Sequence, residues 1–361
     1  MASSAELAGA EENSKRIIIV MGPGRSGTST VAGALAKSGL EVPGQVIRGN
    51  PTNPSGFYEP RWVVDFHRDL LDRHYVGTID TSPSALELMS KASAAPTVRE
   101  TLHTWLAARL EVQPRLVVKD PRSIWFRDLW VDTARELGVE PGFVTMLRHP
   151  AEVSASRHKY YRRDGQPSAR SDEINRIAGW VNVVLTAEQS TKGSPRIFVR
   201  YTDLVADWRR VLGRLGHALN VDYDPGLDVS PHPVDDFIDS SLHRVQVDWT
   251  DVDIPLGLRD MGEELWRAAS RLADEGESDD ASAEIDRLRH EYAVMMKDAL
   301  ALTRQTSRRS EVAARRRGRR QFREELARKR AASAASAASA KSAGRGRADR
   351  LWSRITRGGR V

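Results

Sequence analysis

Residues 16–39 read RIIIVMGPGRSGTSTVAGALAKSG. Residues 17–21 are apolar and mostly β-branched, which predicts a buried strand. A glycine turn follows, and then a helix from Thr28 that stops near Gly39. From Gly22 the turn reads G-P-G-R-S-G-T-S, one residue short of the phosphate-loop pattern G-x-x-x-x-G-K-[ST]. Thr28 stands where that pattern has lysine. Strand, turn and helix start together make an anion site, because backbone N–H groups and the helix dipole both point positive charge at the turn. Gly22, Gly24 and Gly27 let the backbone curl around an anion, Thr28 and Ser29 add hydroxyl donors, and Arg25 adds a permanent charge. In a nucleoside triphosphatase the missing lysine would reach the β- and γ-phosphates, and the next hydroxyl would hold Mg²⁺. Its replacement predicts a ligand with a shorter anionic chain and no required metal. The alternative is a glycine turn with a capped helix.

Three more strands are expected at 115–119, 143–147 and 196–200, with helices at 61–73, 84–111, 124–137, 151–162, 173–191 and 204–219. Strands alternating with helices predict right-handed crossovers and a parallel sheet covered on both faces. The expected fold is therefore α/β: a P-loop-like three-layer arrangement with a central parallel sheet flanked by helices, plus a C-terminal helical basic tail. Ligands of such sheets sit beyond the carboxyl ends of the strands.

The chain has 361 residues, no cysteine and a formal net charge of +6. Disulfides, thiolate metal sites and cysteine nucleophiles are excluded, and a reducing cytoplasm is the expected setting. Residues 1–14 are polar and acidic without an apolar signal core, and are expected to be disordered. The charge is unevenly divided. Residues 301–361 hold 19 Lys/Arg against four acids, net +15, whereas residues 1–300 hold 36 bases and 45 acids, net −9. The expected organisation is an α/β domain over 15–280, a helix over 281–335 that is basic in its second half, and a low-complexity basic tail over 336–361 with a short amphipathic end.

A second signal is LRHPAEVSASRH, 147–158. Arg148 ends a strand, Pro150 suits the first turn of the next helix, and Ser156 lies two turns further on. An arginine fork and a hydroxyl could grip a second phosphate. GPGRSGTS followed by this R-x7-S segment resembles the two donor sites of sulfotransferases that use 3′-phosphoadenosine 5′-phosphosulfate. Other segments are similar to a bacterial branch of that family: NPTNPSGFYEPRWVVDFHRDLL (50–71), VVKDPRSIWF (117–126), VRYTDLVADWRRVLGRLGHAL (199–219) and VDDFIDSSLHR (234–244). The resemblance spans about two thirds of the chain.

The resemblance implies that Gly22, Gly24, Arg25, Ser26, Gly27, Thr28 and Ser29 hold the 5′-phosphosulfate of the donor, and that Arg148 and Ser156 hold its 3′-phosphate. One 5′-phosphate carrying sulfate needs no lysine reaching for a γ-phosphate. It also implies sulfuryl transfer by in-line displacement to a hydroxyl or amine of a glycan, lipid-linked or small acceptor. Arg25 would stabilise developing charge, with Lys119 as a helper. Lys119 and Arg122 could equally belong to a structural ion-pair corner around Asp120. Glu59 is the first candidate for the general base, against the alternative that it caps the helix starting near Pro60. His67 is second and His149 third. Tyr201 could stack near adenine or be a core residue; His243 and Arg244 could close over the nucleotide or be a solvated helix start. His217, His232 and His290 lack metal-ligand spacing, so no metal is assigned.

Two rival readings stand beside this one: a P-loop kinase of small molecules, disfavoured by Thr28, and a non-catalytic nucleotide- or nucleic-acid-binding protein, suggested only by the tail. The tail ends in RADRLWSRITRGGRV, with Leu351, Trp352 and Ile355 at helical spacing among arginines. It is expected to be a disordered extension, an anionic-membrane anchor or a nucleic-acid arm. A cytoplasmic protein, peripheral at a membrane face if the tail docks there, is the expected location.

Overall fold

The computed structural model describes residues 15–50, 53, 55–161, 170–238 and 249–357. The expectation for 1–14 lies outside the described residues. Among the described residues four strands form one sheet: β1 (Arg16–Met21), β2 (Arg115–Lys119), β3 (Gly142–Leu147) and β4 (Arg196–Arg200), in the order β2-β1-β3-β4. Every pair is parallel. All four follow the sequence expectation to within a residue. Their near-continuous apolar runs are what a sheet buried on both faces requires.

Alternation along each strand divides the core. Ile17, Ile19 and Met21 join Leu116, Val118 and Phe143 on one face. Ile18 and Val20 join Val117, Val144 and Met146 on the other. The first face is covered by α2 (Arg61–His74), α3 (Ala85–Ser93), α4 (Pro96–Val112) and α5 (Arg127–Glu136). The second is covered by α1 (Thr28–Lys37), α8 (Tyr201–Ala206) and α9 (Trp208–Leu219). Burying each of these side chains contributes about 1.5–3 kcal/mol.

Two expected helices are each two. The stretch 84–111 breaks before Pro96, since the residue preceding a proline is pushed out of the helical region, and Ala95 has ψ 131°. The stretch 204–219 starts earlier, at Tyr201, and is interrupted at Asp207, whose carboxylate instead accepts from the backbone N–H of Arg210 and caps α9 at 3.0 Å. The helix expected from 124 begins with a 3₁₀ segment, Pro121–Phe126.

A third core cluster joins α6 (Pro150–Tyr161), α7 (Arg170–Thr191), α10 (Leu256–Glu275) and the start of α11 (Asp279–Arg357). The helix α10 was not among the expected elements, although Leu258, Met261, Leu265, Ala269 and Leu272 recur at helical spacing and are buried. The chain divides into units Met1–Met296 and Lys297–Val361. The boundary thus falls later than the expected 280, because Ala281, Ile285, Leu288 and Tyr292 belong to the third cluster. The Tyr292 hydroxyl shares its one proton between the carbonyls of Thr81 (2.6 Å) and Ala178 (3.0 Å). The second unit is helical to Arg357, beyond the expected end at 335, in keeping with the high helix propensity of its Ala-rich stretch. Among the described residues no helix is long and apolar enough to cross a membrane.

Candidate active site

The chain leaves β1 toward β2 on one side and leaves β3 toward β4 on the other, so the strand order reverses between β1 and β3, the place beyond whose carboxyl ends open parallel sheets bind ligands. The Gly22 loop and the Arg148 segment are what emerge there. Gly22 has φ 129°, and a Cβ on it would sit 2.6 Å from the Met146 carbonyl oxygen of β3. Gly27 has φ 86°, and its Cβ would sit 2.2 Å from Cδ2 of Tyr201. Only glycine lets the loop lie this close to both neighbours. Arg25 also has positive φ, at 73°.

Gly27 is the N-cap of α1, and among the described residues no side chain caps that helix. Thr30 and Val31 N–H groups bond back to the Gly27 carbonyl, and among the described residues those of Thr28 and Ser29 are left for a ligand or solvent. Ser26 is fully buried, and among the described residues its Oγ has no hydrogen-bond partner, an unusual state for a buried hydroxyl. A Cβ-free cradle, an uncapped helix start and an orphan hydroxyl fit a small anion. Asn53 closes the far side: its Nδ2 donates to Ser29 Oγ at 3.2 Å and to the Gly56 carbonyl at 2.7 Å.

The two predicted donor segments touch. Arg25 Nε donates to Ser156 Oγ at 3.1 Å, and Arg148 Nη1 reaches the Arg25 carbonyl oxygen at 3.4 Å. Arg148 Nε donates to Glu152 Oε2 at 2.8 Å, and its guanidinium carbon lies 4.9 Å from the Tyr201 ring centroid. Tyr201 is therefore buried between Gly27 and Arg148, with one ring face against the guanidinium. Arg244 and His243 lie outside the described residues.

Glu59 and Lys119 meet across 60 residues of sequence at 2.5 Å. Lys119 is 2% exposed and stands opposite Val20 in register, beside the start of the loop. Glu59 is held by its backbone, whose carbonyl accepts from Ile47 N–H at 2.9 Å. Its side chain does not cap α2, whose N-cap is Pro60 with no side-chain hydrogen bond. The pairing with Lys119 is one that sequence spacing does not reveal.

His67 is fully buried and both ring nitrogens are engaged. Trp130 Nε1 donates to Nε2 at 3.0 Å. An indole N–H can only donate, so Nε2 is an acceptor and the proton sits on Nδ1. That Nδ1–H donates to Asp120 Oδ2 at 2.8 Å. The ring also stacks on Phe126 at 4.4 Å. No ring nitrogen is left to take a proton from an acceptor, so the geometry gives His67 a bracing role at the end of β2. Burial works to raise the Asp120 carboxyl, but the His67 hydrogen bond, with the Arg122 charge and N–H, holds it at about 2. Asp120 Oδ1 accepts from Arg122 N–H (3.1 Å) and Nη1 (2.8 Å). The K-D-P-R segment is thus an ion-pair corner that also delivers Lys119 to Glu59.

His149 faces α10: Nε2 lies 3.1 Å from Glu263 Oε2, with Trp249 and Trp266 against the ring. Residues with site contacts that carry no sequence expectation include Asn53, Trp130 and Glu152. Of these only Glu152, four residues after Arg148 on a helix, has a spacing that signals its partner. Among the described residues no cluster of His, Asp and Glu could hold a metal ion.

No curated protein sequence matches the chain. Among solved structures it is similar to the sulfotransferase domain of the olefin synthase from Synechococcus PCC 7002, at 18% identity and a TM-score of 0.35, over 77% of this chain and 94% of that one. It is also similar to sulfotransferase STF1 from Mycobacterium tuberculosis H37Rv, at 14% identity and a TM-score of 0.36, over 71% of this chain and 79% of that one. The model of one family, described as "Sulfotransferase family", matches residues 17–225, which span the glycine loop, the Glu59–Lys119 pair, the K-D-P-R corner and the Arg148–Ser156 segment. The chain belongs to the sulfotransferase family.

Proposed function

We propose that the enzyme transfers a sulfuryl group from 3′-phosphoadenosine 5′-phosphosulfate to a hydroxyl or amine. The observation that carries this reading is the direct contact of the glycine loop with the Arg148–Ser156 segment through Arg25. Two anion-binding elements side by side match a donor with phosphate at both the 5′ and 3′ positions. The 5′-phosphosulfate falls to residues 22–29 and the 3′-phosphate to Arg148 and Ser156. Sulfuryl transfer is an in-line displacement. The acceptor oxygen or nitrogen forms the new bond to sulfur, the bond from sulfur to the 5′-phosphate oxygen breaks, and the bisphosphate leaves with that electron pair. Loop N–H groups and Arg25 stabilise the charge appearing on the leaving oxygen. Glu59 takes the acceptor proton, and Lys119, its partner, turns to the transferring group. His67, Asp120 and Trp130 fix the strand end from which Lys119 projects.

Calorimetry with adenosine 3′,5′-bisphosphate, beside ATP with Mg²⁺, tests the donor. Metal-independent bisphosphate binding is expected, weakened about tenfold, or 1.4 kcal/mol, by Arg148→Ala, and at least as much by Gly27→Ala, whose Cβ collides with Tyr201. Binding of ATP alone would bring the kinase reading forward.

The basic tail is assigned to an anionic membrane surface. Arg315, Arg316, Arg317, Arg319, Arg320 and Arg323 are exposed on its helix, and the end segment places Leu351, Trp352 and Ile355 at helical spacing. Removing residues 303–361 should abolish pelleting with phosphatidylserine vesicles; unchanged pelleting would end this assignment.

A further inference from the structure

We infer that Glu152 is the residue that makes this site selective for a nucleotide with a 3′-phosphate, by holding the Arg148 fork in its binding orientation. The inference rests on the donor reading above. Arg148, Glu152 and Ser156 are spaced four residues apart, so α6 and the residues leading into it present them on one face, the face that meets Arg25.

A guanidinium carries five N–H donors in a rigid planar fork, so fixing one edge aims the others. Glu152 fixes the Nε edge at 2.8 Å, and both side chains of this pair are mostly buried. Tyr201 lies under the plane, the Arg25 carbonyl limits Nη1, and Trp180 Nε1 anchors the Arg148 backbone carbonyl at 3.1 Å. The plane and one edge of the fork are thereby set before any ligand arrives, and the Nη edge is the one turned toward the loop.

Placing a carboxylate between two phosphate-binding residues works against an anion through charge alone. Ordering and repulsion therefore predict opposite signs when Glu152 is changed. The geometry favours ordering: a mostly buried arginine released from its acceptor loses the fork orientation on which bidentate phosphate binding depends. A phosphate held only in the loop would not register the change.

The test compares adenosine 3′,5′-bisphosphate with adenosine 5′-monophosphate by calorimetry on the full chain. Wild type should prefer the bisphosphate. Glu152→Met, close in size and helix-forming but without an acceptor, should cut that preference at least tenfold while monophosphate affinity holds. Glu152→Gln keeps an oxygen for the Nε–H and should stay within about threefold of wild type (0.65 kcal/mol). Equal weakening of both ligands by Glu152→Met would make the residue merely structural and overturn the inference. Tighter bisphosphate binding in both variants would overturn it too, showing that repulsion prevails. A wild type without preference for the bisphosphate would instead remove the donor reading itself.

Discussion

Glu59→Gln is expected to lower kcat by roughly 10²–10⁴, the contribution usual for a positioned general base, while leaving the affinity for adenosine 3′,5′-bisphosphate within twofold of wild type. The reason is geometric. Glu59 lies against Lys119 at the end of β2, whereas the bisphosphate is proposed to bind at the loop and Arg148. Glutamine keeps an oxygen that can accept from Lys119 Nζ, so the nearly buried ammonium is not stranded. What is lost is the capacity to take a proton. Release of bisphosphate in the presence of a screened alcohol, phenol or amine acceptor measures kcat, and thermal unfolding checks that the fold survives. A fall of less than tenfold would place the base elsewhere. Lys119→Met makes the converse test, since it keeps the carboxylate and removes the cation that would turn to the transferring group.

Asp120→Ala should be the most destabilising single change in the site, costing about 3–5 kcal/mol, because removing one partner of a buried charged network leaves the others uncompensated. Three donors converge on this fully buried carboxylate: His67 Nδ1–H, the Arg122 backbone N–H and the Arg122 guanidinium. The same contacts set a pH dependence. The carboxyl sits at about 2 in the folded protein against an ordinary 3.8. A depressed acid contributes stability that is fully present above its unfolded value and disappears as pH falls through its folded value. Wild type should therefore lose roughly 2 kcal/mol from this group between pH 4 and pH 2. Denaturant unfolding at a series of pH values checks it. A pH profile unaltered by Asp120→Ala would show that the network is not ionised as drawn.

The sheet was legible in the sequence because each strand is a short, β-branched, apolar run, buried on both sides and flanked by turn residues. The loop was legible because its three glycines, arginine and hydroxyl pair stand within eight consecutive positions. Helix breaks at Ala95–Pro96 and Asp207 could have been read from local chemistry, a proline and a capping aspartate. The helix α10 has the right period, and the domain boundary moved because burial of Ala281, Ile285, Leu288 and Tyr292 is a tertiary fact.

The site divides the same way. Local order along the chain determined by itself the parallel α/β layout, the glycine cradle and the Arg148–Ser156 spacing, since strand composition, turn stereochemistry and helical periodicity all act over a few residues. Only the tertiary structure decided what each ionisable group faces. His67 could be read as a base until Trp130 and Asp120, 63 and 53 residues away, were found on its two nitrogens. Glu59 could be read as a helix cap until Lys119 was found on its carboxylate. A charged side chain's role depends on its partners and on its access to water, and in this fold those partners come from segments that only the packing of the sheet brings together.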